Sequence, residues 1–163
     1  MVMCVSSNNK YDSVMRKEGN KSFTPGEQAG YTVFKQKCGA CHAEPLFTDQ
    51  SFRNNGISIS TTDDQGRYLV TQNDADKYTF WVPSLRNLEF TAPYMHDGRF
   101  FTLDAVLNHY TSQVQQTPNL DPLFKKNNMP GIPLTTEVRA GITAFLKTLN
   151  DRSFIFDKRF SEQ

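Results

Sequence analysis

Residues 38–42 read Cys38-Gly39-Ala40-Cys41-His42 and place an imidazole directly after the second of two thiols three positions apart. Two thiols at this spacing can each add to a vinyl group of haem, while the adjacent imidazole ligates the iron. The pentapeptide therefore predicts one covalently attached haem c, with His42 as proximal ligand. Two other interpretations stay open, a thioredoxin-like redox pair and half of a zinc site, although the sequence shows neither a βαβ setting nor a second ligand pair.

The other axial position of the iron has four candidate ligands in the sequence: Tyr110, Met129, Met95 and His109. Thr102 is placed to cap a helix on which Tyr110 shares one face with three apolar residues, Leu103, Val106 and Leu107. We expect Tyr110 to point inward. His109 lies about 100° or more off that face, so we expect it at the surface or beside a ligand. Core packing is a competing role for Tyr110 and for both methionines.

Met129 precedes Pro130 and a final helix, an arrangement similar to the Met-Pro that supplies the sixth ligand in small single-haem cytochromes c. A methionine ligand raises the reduction potential of the iron, whereas a phenolate from Tyr110 stabilises ferric iron and lowers the potential. The identity of this ligand therefore decides what the haem can do.

Helix signals frame the haem motif. Thr24-Pro25-Gly26-Glu27 predicts a helix start with a capping box, and this helix is expected to run into Cys38. A last helix follows Pro133, with Thr135 as its N-cap. The predicted buried face of that helix consists of Val138, Ile142, Phe145, Leu146 and Leu149.

Residues 43–101 show no long helical period, only turn residues and short alternating pieces at 57–59 and 78–82. Such a long loop is unusual in a compact domain, and its aromatic and apolar content favours order around something large and apolar. We predict an all-α, cytochrome c-like domain with long haem-wrapping loops and small β pieces, over residues 23–150. Residues 1–22 are predicted as a lead-in segment, in which Tyr11, Val14 and Met15 form an apolar pairing, and residues 151–163 as a C-terminal tail.

Composition limits the classes of partner. The 163 residues carry 18 basic and 17 acidic side chains, a formal net charge of +1, which gives no reason to expect nucleic acid or an anionic membrane as partner. No stretch approaches the roughly 20 apolar residues of a membrane span, and residues 1–10 lack the features of a secretory signal. Because haem is joined to such motifs outside the bacterial cytoplasm, we expect a periplasmic protein and a fragment or engineered form of an exported precursor.

Two segments, Val82-Pro83-Ser84-Leu85-Arg86-Asn87 and Thr91-Ala92-Pro93-Tyr94-Met95-His96-Asp97-Gly98, resemble the signature downstream of the second haem in bacterial dihaem cytochrome c peroxidases. Further similar segments, beside the haem motif, are 23–25, 45–49, 119–122 and 144–149. The ending Phe160-Ser161 is similar to the natural C-terminus of that family. The resemblance thus spans nearly the whole chain.

This resemblance implies a parent enzyme that reduces hydrogen peroxide to water with electrons from a small cytochrome or cupredoxin. In that family an N-terminal domain holds the peroxidatic haem, and the C-terminal domain, the half represented here, holds a haem that passes electrons to it. A second haem is therefore expected in the absent N-terminal domain, and this chain alone is expected to be a poor peroxidase. The parent is a candidate homodimer.

One position departs from the typical family pattern. Typical members have a distal methionine after the His-Asp-Gly segment, and this sequence places Tyr110 at about that position. The departure resembles the methylamine-utilisation branch, whose haem has His/Tyr ligation and whose reaction is the oxidation of protein tryptophans. Two alternatives therefore stay open beside the peroxidase: a tryptophan-oxidising dihaem enzyme, and a plain single-haem electron carrier ligated by Met129. An apo domain with free or disulfide-bonded Cys38 and Cys41 is a third, in which Cys4 pairs between chains.

The resemblance also implies calcium, bound between the two domains by main-chain oxygens that correspond to Thr91 and Pro93, with half of the site in the other domain. His96, Asp97 and Arg99 belong to the family motif. A role in fixing their loop by hydrogen bonds and ion pairing competes with a propionate or electron-path role for these three. None of the three is predicted to be catalytic.

Overall fold

The computed structural model describes residues 8–59, 63–125 and 129–160. The α-helices in these ranges are α1 (Lys10–Met15), α2 (Pro25–Lys37), α3 (Tyr68–Thr71), α4 (Leu103–Asn108), α5 (Thr136–Lys147) and α6 (Arg152–Ile155). A π-helical turn, His109–Gln113, continues α4, and short 3-10 turns lie at Asp74–Asp76, Leu88–Phe90, Pro122–Phe124 and Lys158–Phe160. None of the helices in the described part of the chain is both long enough and apolar enough to cross a membrane.

The β structure is small. Strands β1 (Phe52–Arg53) and β2 (Phe80–Trp81) pair antiparallel, with Phe52 opposite Trp81. The alternating piece predicted at 78–82 is therefore confirmed as a strand, whereas the piece predicted at 57–59 is wrong because no strand forms there. Helix-rich structure with one two-stranded sheet is consistent with the predicted cytochrome c-like fold.

The three predicted helix starts, at Thr24, Thr102 and Thr135, are confirmed. The Thr24 hydroxyl accepts a hydrogen bond from the Glu27 N–H, and the Glu27 carboxylate accepts one from the Thr24 N–H, which is the predicted capping box at α2. The Thr135 side chain caps α5 by accepting from the Val138 N–H. Each cap satisfies backbone donors that have no partner within the helix.

Helices α2 and α5 cross at closest approach through two glycines. A Cβ atom built on Gly30 would lie 1.9 Å from the carbonyl oxygen of Gly141, so only a residue without a side chain fits at this point of α2. The two backbones are therefore in direct contact, and α5 packs against the helix that precedes the haem motif.

The main core is largely aromatic and is built around Phe145 of α5. Its ring lies 5.0 Å from that of Tyr31, 5.1 Å from that of Phe34 and 6.1 Å from that of Phe47, measured between centroids. Phe145 and Phe47 are fully buried, as are Ile142 and Leu149. The predicted inner face of the last helix is thus confirmed for Ile142, Phe145, Leu146 and Leu149, all of which are buried. Val138 is partly exposed and packs against the core.

The N-terminal segment contributes to this core. Tyr11 in α1 is 3% exposed, and its N–H donates to the Thr148 carbonyl at 3.1 Å. The predicted apolar pairing is wrong in detail, because the helix turns Asp12 and Ser13 inward and leaves Met15 exposed. Asp12 faces inward because it forms an ion pair with Arg86. A hydrophobic pattern cannot predict such a contact.

Candidate haem site

The Cys-x-x-Cys-His segment forms a tight turn at the C-terminal end of α2. Cys38 is the C-cap, with its N–H donating to the Phe34 carbonyl at 2.8 Å. The N–H groups of Cys41 and His42 both donate to the Cys38 carbonyl, at 3.2 and 2.9 Å. The two thiols and the imidazole are therefore held by a continuation of the helix rather than by a mobile loop.

The two cysteine side chains are kept as neutral thiols. Burial raises the pKa of Cys38 to about 12, and burial also raises that of Cys41 to about 11, although Arg53 acts in the opposite direction on Cys41. A redox-active pair needs a lowered pKa, so this environment disfavours the thioredoxin-like interpretation. Both thiols are free, and Cys4 lies outside the described residues.

The imidazole of His42 is oriented by a main-chain carbonyl. Its Nδ1 lies 3.1 Å from the Phe47 carbonyl oxygen, and a carbonyl can only accept, so Nδ1 carries the proton and Nε2 keeps its lone pair. Burial lowers the pKa of His42, outweighing the carbonyls of Phe47 and Pro83, and keeps the ring neutral. A neutral ring with Nε2 free is the form that binds a metal.

A network of hydrogen bonds fixes the loop around His42. The Thr48 hydroxyl donates to the Val82 carbonyl at 2.6 Å, and the Asp49 N–H donates to the Cys41 carbonyl at 2.8 Å. Arg53 forms ion pairs with Asp49 at 2.6 Å and with Asp121 at 2.7 Å. Through Arg53 this loop is joined to the turn at residue 121, far along the chain.

Tyr110 lies on the π-helical turn and is partly buried. Its ring stacks on Phe124 with centroids 5.6 Å apart, and its main-chain carbonyl accepts from the Ile132 N–H at 2.7 Å. Burial raises the pKa of Tyr110. The ring packs against the buried side chains of Val114, Leu120 and Phe124, as the inward orientation predicted for Tyr110 requires.

His109 is buried, so its predicted surface position is wrong, whereas the alternative position beside a candidate ligand agrees with its contact to the Tyr110 ring. Its side chain is 2% exposed, and Nε2 donates to the Asn55 carbonyl at 3.1 Å, with the Tyr110 ring at 5.3 Å. The surface placement was derived from α-helical spacing, which advances 100° per residue. The π-helical turn that begins at His109 changes this phase, so that neighbouring side chains both turn inward.

The two candidate methionines are placed differently. Met95 is partly buried, and its sulfur accepts from Nδ2 of Asn55 at 3.5 Å. Met129 is 76% exposed and lines an open groove with Gln116, Lys125 and Pro130. Met95 is therefore partly enclosed by the protein, whereas Met129 faces solvent.

The remaining motif residues form loop contacts. Arg99 donates to Asp97 at 2.5 and 2.7 Å and to the Ser58 hydroxyl at 2.6 Å, which ties the His-Asp-Gly loop to the segment after β1. The imidazole of His96 stacks on Phe80 with centroids 3.6 Å apart. Thr91 and Pro93 are exposed, so their calcium role stays a prediction.

Sequence reasoning missed Asn55. A lone asparagine in an irregular stretch carries no periodic signal, and its contacts involve residues 40 and more positions away. The only hint is the Asn54-Asn55-Gly56 run, which indicates a turn but no ligand.

The residues fit a covalently held haem. Two free thiols lie at the required spacing, a neutral imidazole offers Nε2, and a tyrosine ring turns inward on the π-helical turn. Among the described residues, no cluster of three or more His, Cys, Asp or Glu side chains is arranged to hold a metal ion directly. Cys38, Cys41, His42 and Tyr110 are therefore the residues that would hold the haem.

Known proteins share this sequence and structure. No family model matches the chain. The methylamine utilization protein MauG of Methylorubrum extorquens is 36% identical over 122 residues, covering 74% of this chain and 33% of the relative. The cytochrome c551 peroxidase of Nitrosomonas europaea is 34% identical over 151 residues, covering 89% of this chain and 40% of the relative. The chain belongs to the bacterial dihaem cytochrome c peroxidase family.

Solved structures of this dihaem peroxidase family agree. A MauG-like protein associated with microbial copper homeostasis superposes with a TM-score of 0.79 at 32% identity, over 96% of this chain and 52% of that one. The diheme peroxidase BthA of Burkholderia thailandensis, at 20% identity and a TM-score of 0.65, shows likeness of fold alone. The chain spans between a third and a half of the length of the curated relatives named above.

Proposed function

We propose that the chain is the electron-transferring haem c domain of a dihaem cytochrome c peroxidase, which reduces hydrogen peroxide to water. The observation that carries the proposal is a His42 imidazole anchored through Nδ1 to the Phe47 carbonyl, with Nε2 left free, directly after two free thiols at the spacing that haem attachment requires. The haem, when bound, supplies a one-electron couple between ferric and ferrous iron. His42 and Tyr110 are proposed to fill both axial positions.

Filling both positions has a direct chemical consequence. If His42 and Tyr110 both ligated the iron, no coordination position would remain for peroxide, so the domain would pass electrons and would not itself reduce peroxide. Stacking of Tyr110 on Phe124 and its main-chain bond from Ile132 hold the ring in place and oppose its displacement. The chain alone is accordingly proposed to be inactive as a peroxidase.

The partners follow from the length of the relatives. The part of the relatives that this chain does not match is long enough for a second domain, which we propose to hold the peroxidatic haem. Electrons are proposed to arrive from a small cytochrome or cupredoxin in the periplasm. A homodimeric parent and a calcium ion at the Thr91 and Pro93 carbonyls, shared with the other domain, complete this proposal.

A second candidate function is the tryptophan-oxidising chemistry of the methylamine-utilisation type. The observation that favours it is Tyr110 itself, which stands where peroxidases of the typical pattern have methionine, together with the similarity to MauG proteins. A plain electron carrier ligated by Met129 is less well supported, because the Met129 side chain is exposed beside Lys125.

Rapid-mixing experiments on the haem-loaded chain test the proposed role. Reduced small cytochrome c or reduced cupredoxin is mixed with the ferric chain, and peroxide consumption is followed separately. We expect reduction of the haem by a donor and no sustained consumption of peroxide. Sustained peroxide turnover by this chain alone, or failure of both classes of donor to reduce it, would overturn the electron-transfer assignment.

A further inference from the structure

The exposed face of the two-stranded sheet carries the single tryptophan of the chain. Trp81 of β2 is 50% exposed, and Phe52, which lies opposite it in β1, is 38% exposed. The two rings meet edge to face with centroids 5.2 Å apart, and the Arg67 guanidinium carbon lies 4.5 Å from the centroid of the Phe52 ring. Exposed aromatic side chains that lie together are typical of a surface that contacts another protein.

A continuous route of covalent and hydrogen bonds joins Trp81 to His42, the proposed iron ligand. Val82 follows Trp81 in the chain and is buried, and its carbonyl accepts from the Thr48 hydroxyl at 2.6 Å. A peptide bond joins Thr48 to Phe47, whose carbonyl accepts from Nδ1 of His42 at 3.1 Å. The route therefore crosses two hydrogen bonds and otherwise follows covalent bonds. Electrons pass more readily along bonded atoms than across gaps of the same length.

Hydrogen bonds hold the middle of this route in place. The Val82 N–H donates to the Ser51 carbonyl at 2.9 Å, and the Thr48 N–H donates to the Ala43 carbonyl at 3.1 Å. The Thr48 oxygen also accepts from the Gln50 N–H at 2.9 Å. The hydroxyl thus spends its one hydrogen on Val82 while its oxygen is engaged from the other side, which fixes its orientation.

The size and charge of the surface at Trp81 and Phe52 fit a transient redox partner. A stable protein interface takes about 20 to 30 residues a side, whereas electron-transfer encounters bury much less surface. The Arg67 guanidinium beside these rings is paired with Asp76 at 3.5 Å, so its charge is largely balanced. The surface therefore suits a small redox protein whose own redox centre is surrounded by an apolar patch.

We propose that Trp81 is the point at which electrons from the small redox partner enter this domain. From Trp81 the electrons pass to His42 along the bonded route through Val82 and Thr48. The partner loses one electron and the ferric haem gains it, while no proton and no covalent bond changes place. The inference rests on the proposed function and names the contact site of its electron donor.

Replacement of Trp81 tests the entry site. The haem-loaded chain is mixed with a reduced cupredoxin or a reduced single-haem cytochrome c, and the second-order rate constant of haem reduction is measured by stopped flow. Trp81→Ala should lower this rate constant about tenfold, the loss expected when an aromatic anchor of an interface is truncated. Trp81→Phe keeps an aromatic ring and should retain most of the rate.

Three controls accompany these variants. Phe156→Ala is the matched substitution, because Phe156 is an aromatic residue 68% exposed on the C-terminal tail, and it should leave the rate constant unchanged. Dithionite, which reduces the haem without docking as a protein does, should react equally fast with Trp81→Ala and the unmodified chain. The absorption spectrum and the reduction potential of Trp81→Ala should also stay unchanged.

A photochemical experiment tests the route without any donor protein. A ruthenium photosensitiser is attached to the new thiol of Trp81→Cys, in a chain that also carries Cys4→Ala, and electron transfer to the ferric haem is followed by transient absorption. Thr48→Val removes the bridging hydroxyl and should slow this transfer, whereas Thr48→Ser keeps the hydroxyl and should restore it. Transfer from the same label on Phe156→Cys should not respond to Thr48→Val.

The outcomes distinguish the inference from the function beneath it. If neither donor reduces the unmodified chain, the proposed electron-transfer function fails, and the entry site with it. If a donor reduces it and Trp81→Ala lowers the rate constant no more than Phe156→Ala does, entry at Trp81 is overturned while the function stands. Transfer from the label at position 81 that is unaffected by Thr48→Val overturns the route in the same way.

Discussion

Arg86 and Asp12 form a bidentate ion pair across 74 positions of the chain, with N–O distances of 2.7 and 2.9 Å. Both side chains are about nine-tenths buried, and the Arg86 guanidinium also donates to the Pro45 carbonyl at 2.8 and 3.1 Å. Arg86 therefore joins α1 to the two loops that face His42, so the N-terminal segment supports the haem site.

Breaking this pair should cost substantial stability. Asp12→Asn leaves a buried guanidinium without its counter-charge, and we expect the free energy of unfolding to fall by about 3 to 5 kcal/mol in urea denaturation. The control is Arg16→Gln, in an exposed pair with Glu18, which should change stability by less than about 1 kcal/mol. Equal effects of the two variants would show that burial of the Asp12 pair contributes nothing.

The contact of α2 with α5 predicts a contrast between two glycines of one helix. Gly30→Ala places a methyl group against the Gly141 carbonyl and should lower the free energy of unfolding by about 1 to 3 kcal/mol or more. Gly26→Ala meets nothing within 4 Å and should be neutral or stabilising by up to about 1 kcal/mol. Thermal unfolding of both variants measures this difference. An unfolding free energy unchanged by Gly30→Ala would contradict the close crossing of α2 and α5.

Stability should depend on acid through Asp49. Burial raises the pKa of Asp49, but hydrogen bonds from Ser51 and Arg53 outweigh burial and lower it to about 2, from an ordinary value of 3.8. A lowered folded-state pKa means that the stabilisation is complete above about pH 4 and is lost as pH falls toward 2. The difference in unfolding free energy between the unmodified chain and Asp49→Asn should therefore be largest near neutral pH and shrink below pH 4. A difference independent of pH would exclude this linkage.

The two thiols should be the points of covalent attachment. In a Cys38→Ala/Cys41→Ala double variant the haem should become extractable with acidified acetone, because no thioether bond holds it. Each single variant should keep one thioether bond, and its pyridine haemochrome band should lie between those of the unmodified chain and the double variant. Cys4→Ala is the control, since the sequence assigns Cys4 no role in this attachment. Haem that stays bound after extraction of the double variant would refute the attachment sites.

Local chemistry explains what the sequence could predict. Two features could be predicted because they depend on neighbours within a few residues: the capping box at Thr24 and the buried face of α5. The haem motif is equally local, because all three of its reactive side chains lie within five positions. The inward orientation of Tyr110 also followed from spacing along one helix.

Features that depend on long-range contacts or on an irregular backbone could not be predicted from the sequence. Residues 57–59 alternate as a strand would, yet Gly56 has a positive φ of 66° and its N–H bonds to the Asn54 side chain, so the chain turns there. His109 is buried because a π-helical turn replaces the α-helix at its position. Asn55 is hydrogen-bonded to Met95 and His109, which lie 40 and 54 positions further along the chain, and no local pattern encodes these contacts.

The most direct test of the central claim is the spectrum of the ferric, haem-loaded chain beside that of Tyr110→Phe. Absorption and resonance Raman spectra should show a covalently bound c-type haem with tyrosinate ligation in the unmodified chain, and the tyrosinate features should vanish in the variant. Identical spectra from the two proteins, with a change instead in Met95→Leu or Met129→Leu, would contradict ligation by Tyr110, and a chain that takes up no haem would contradict the account as a whole.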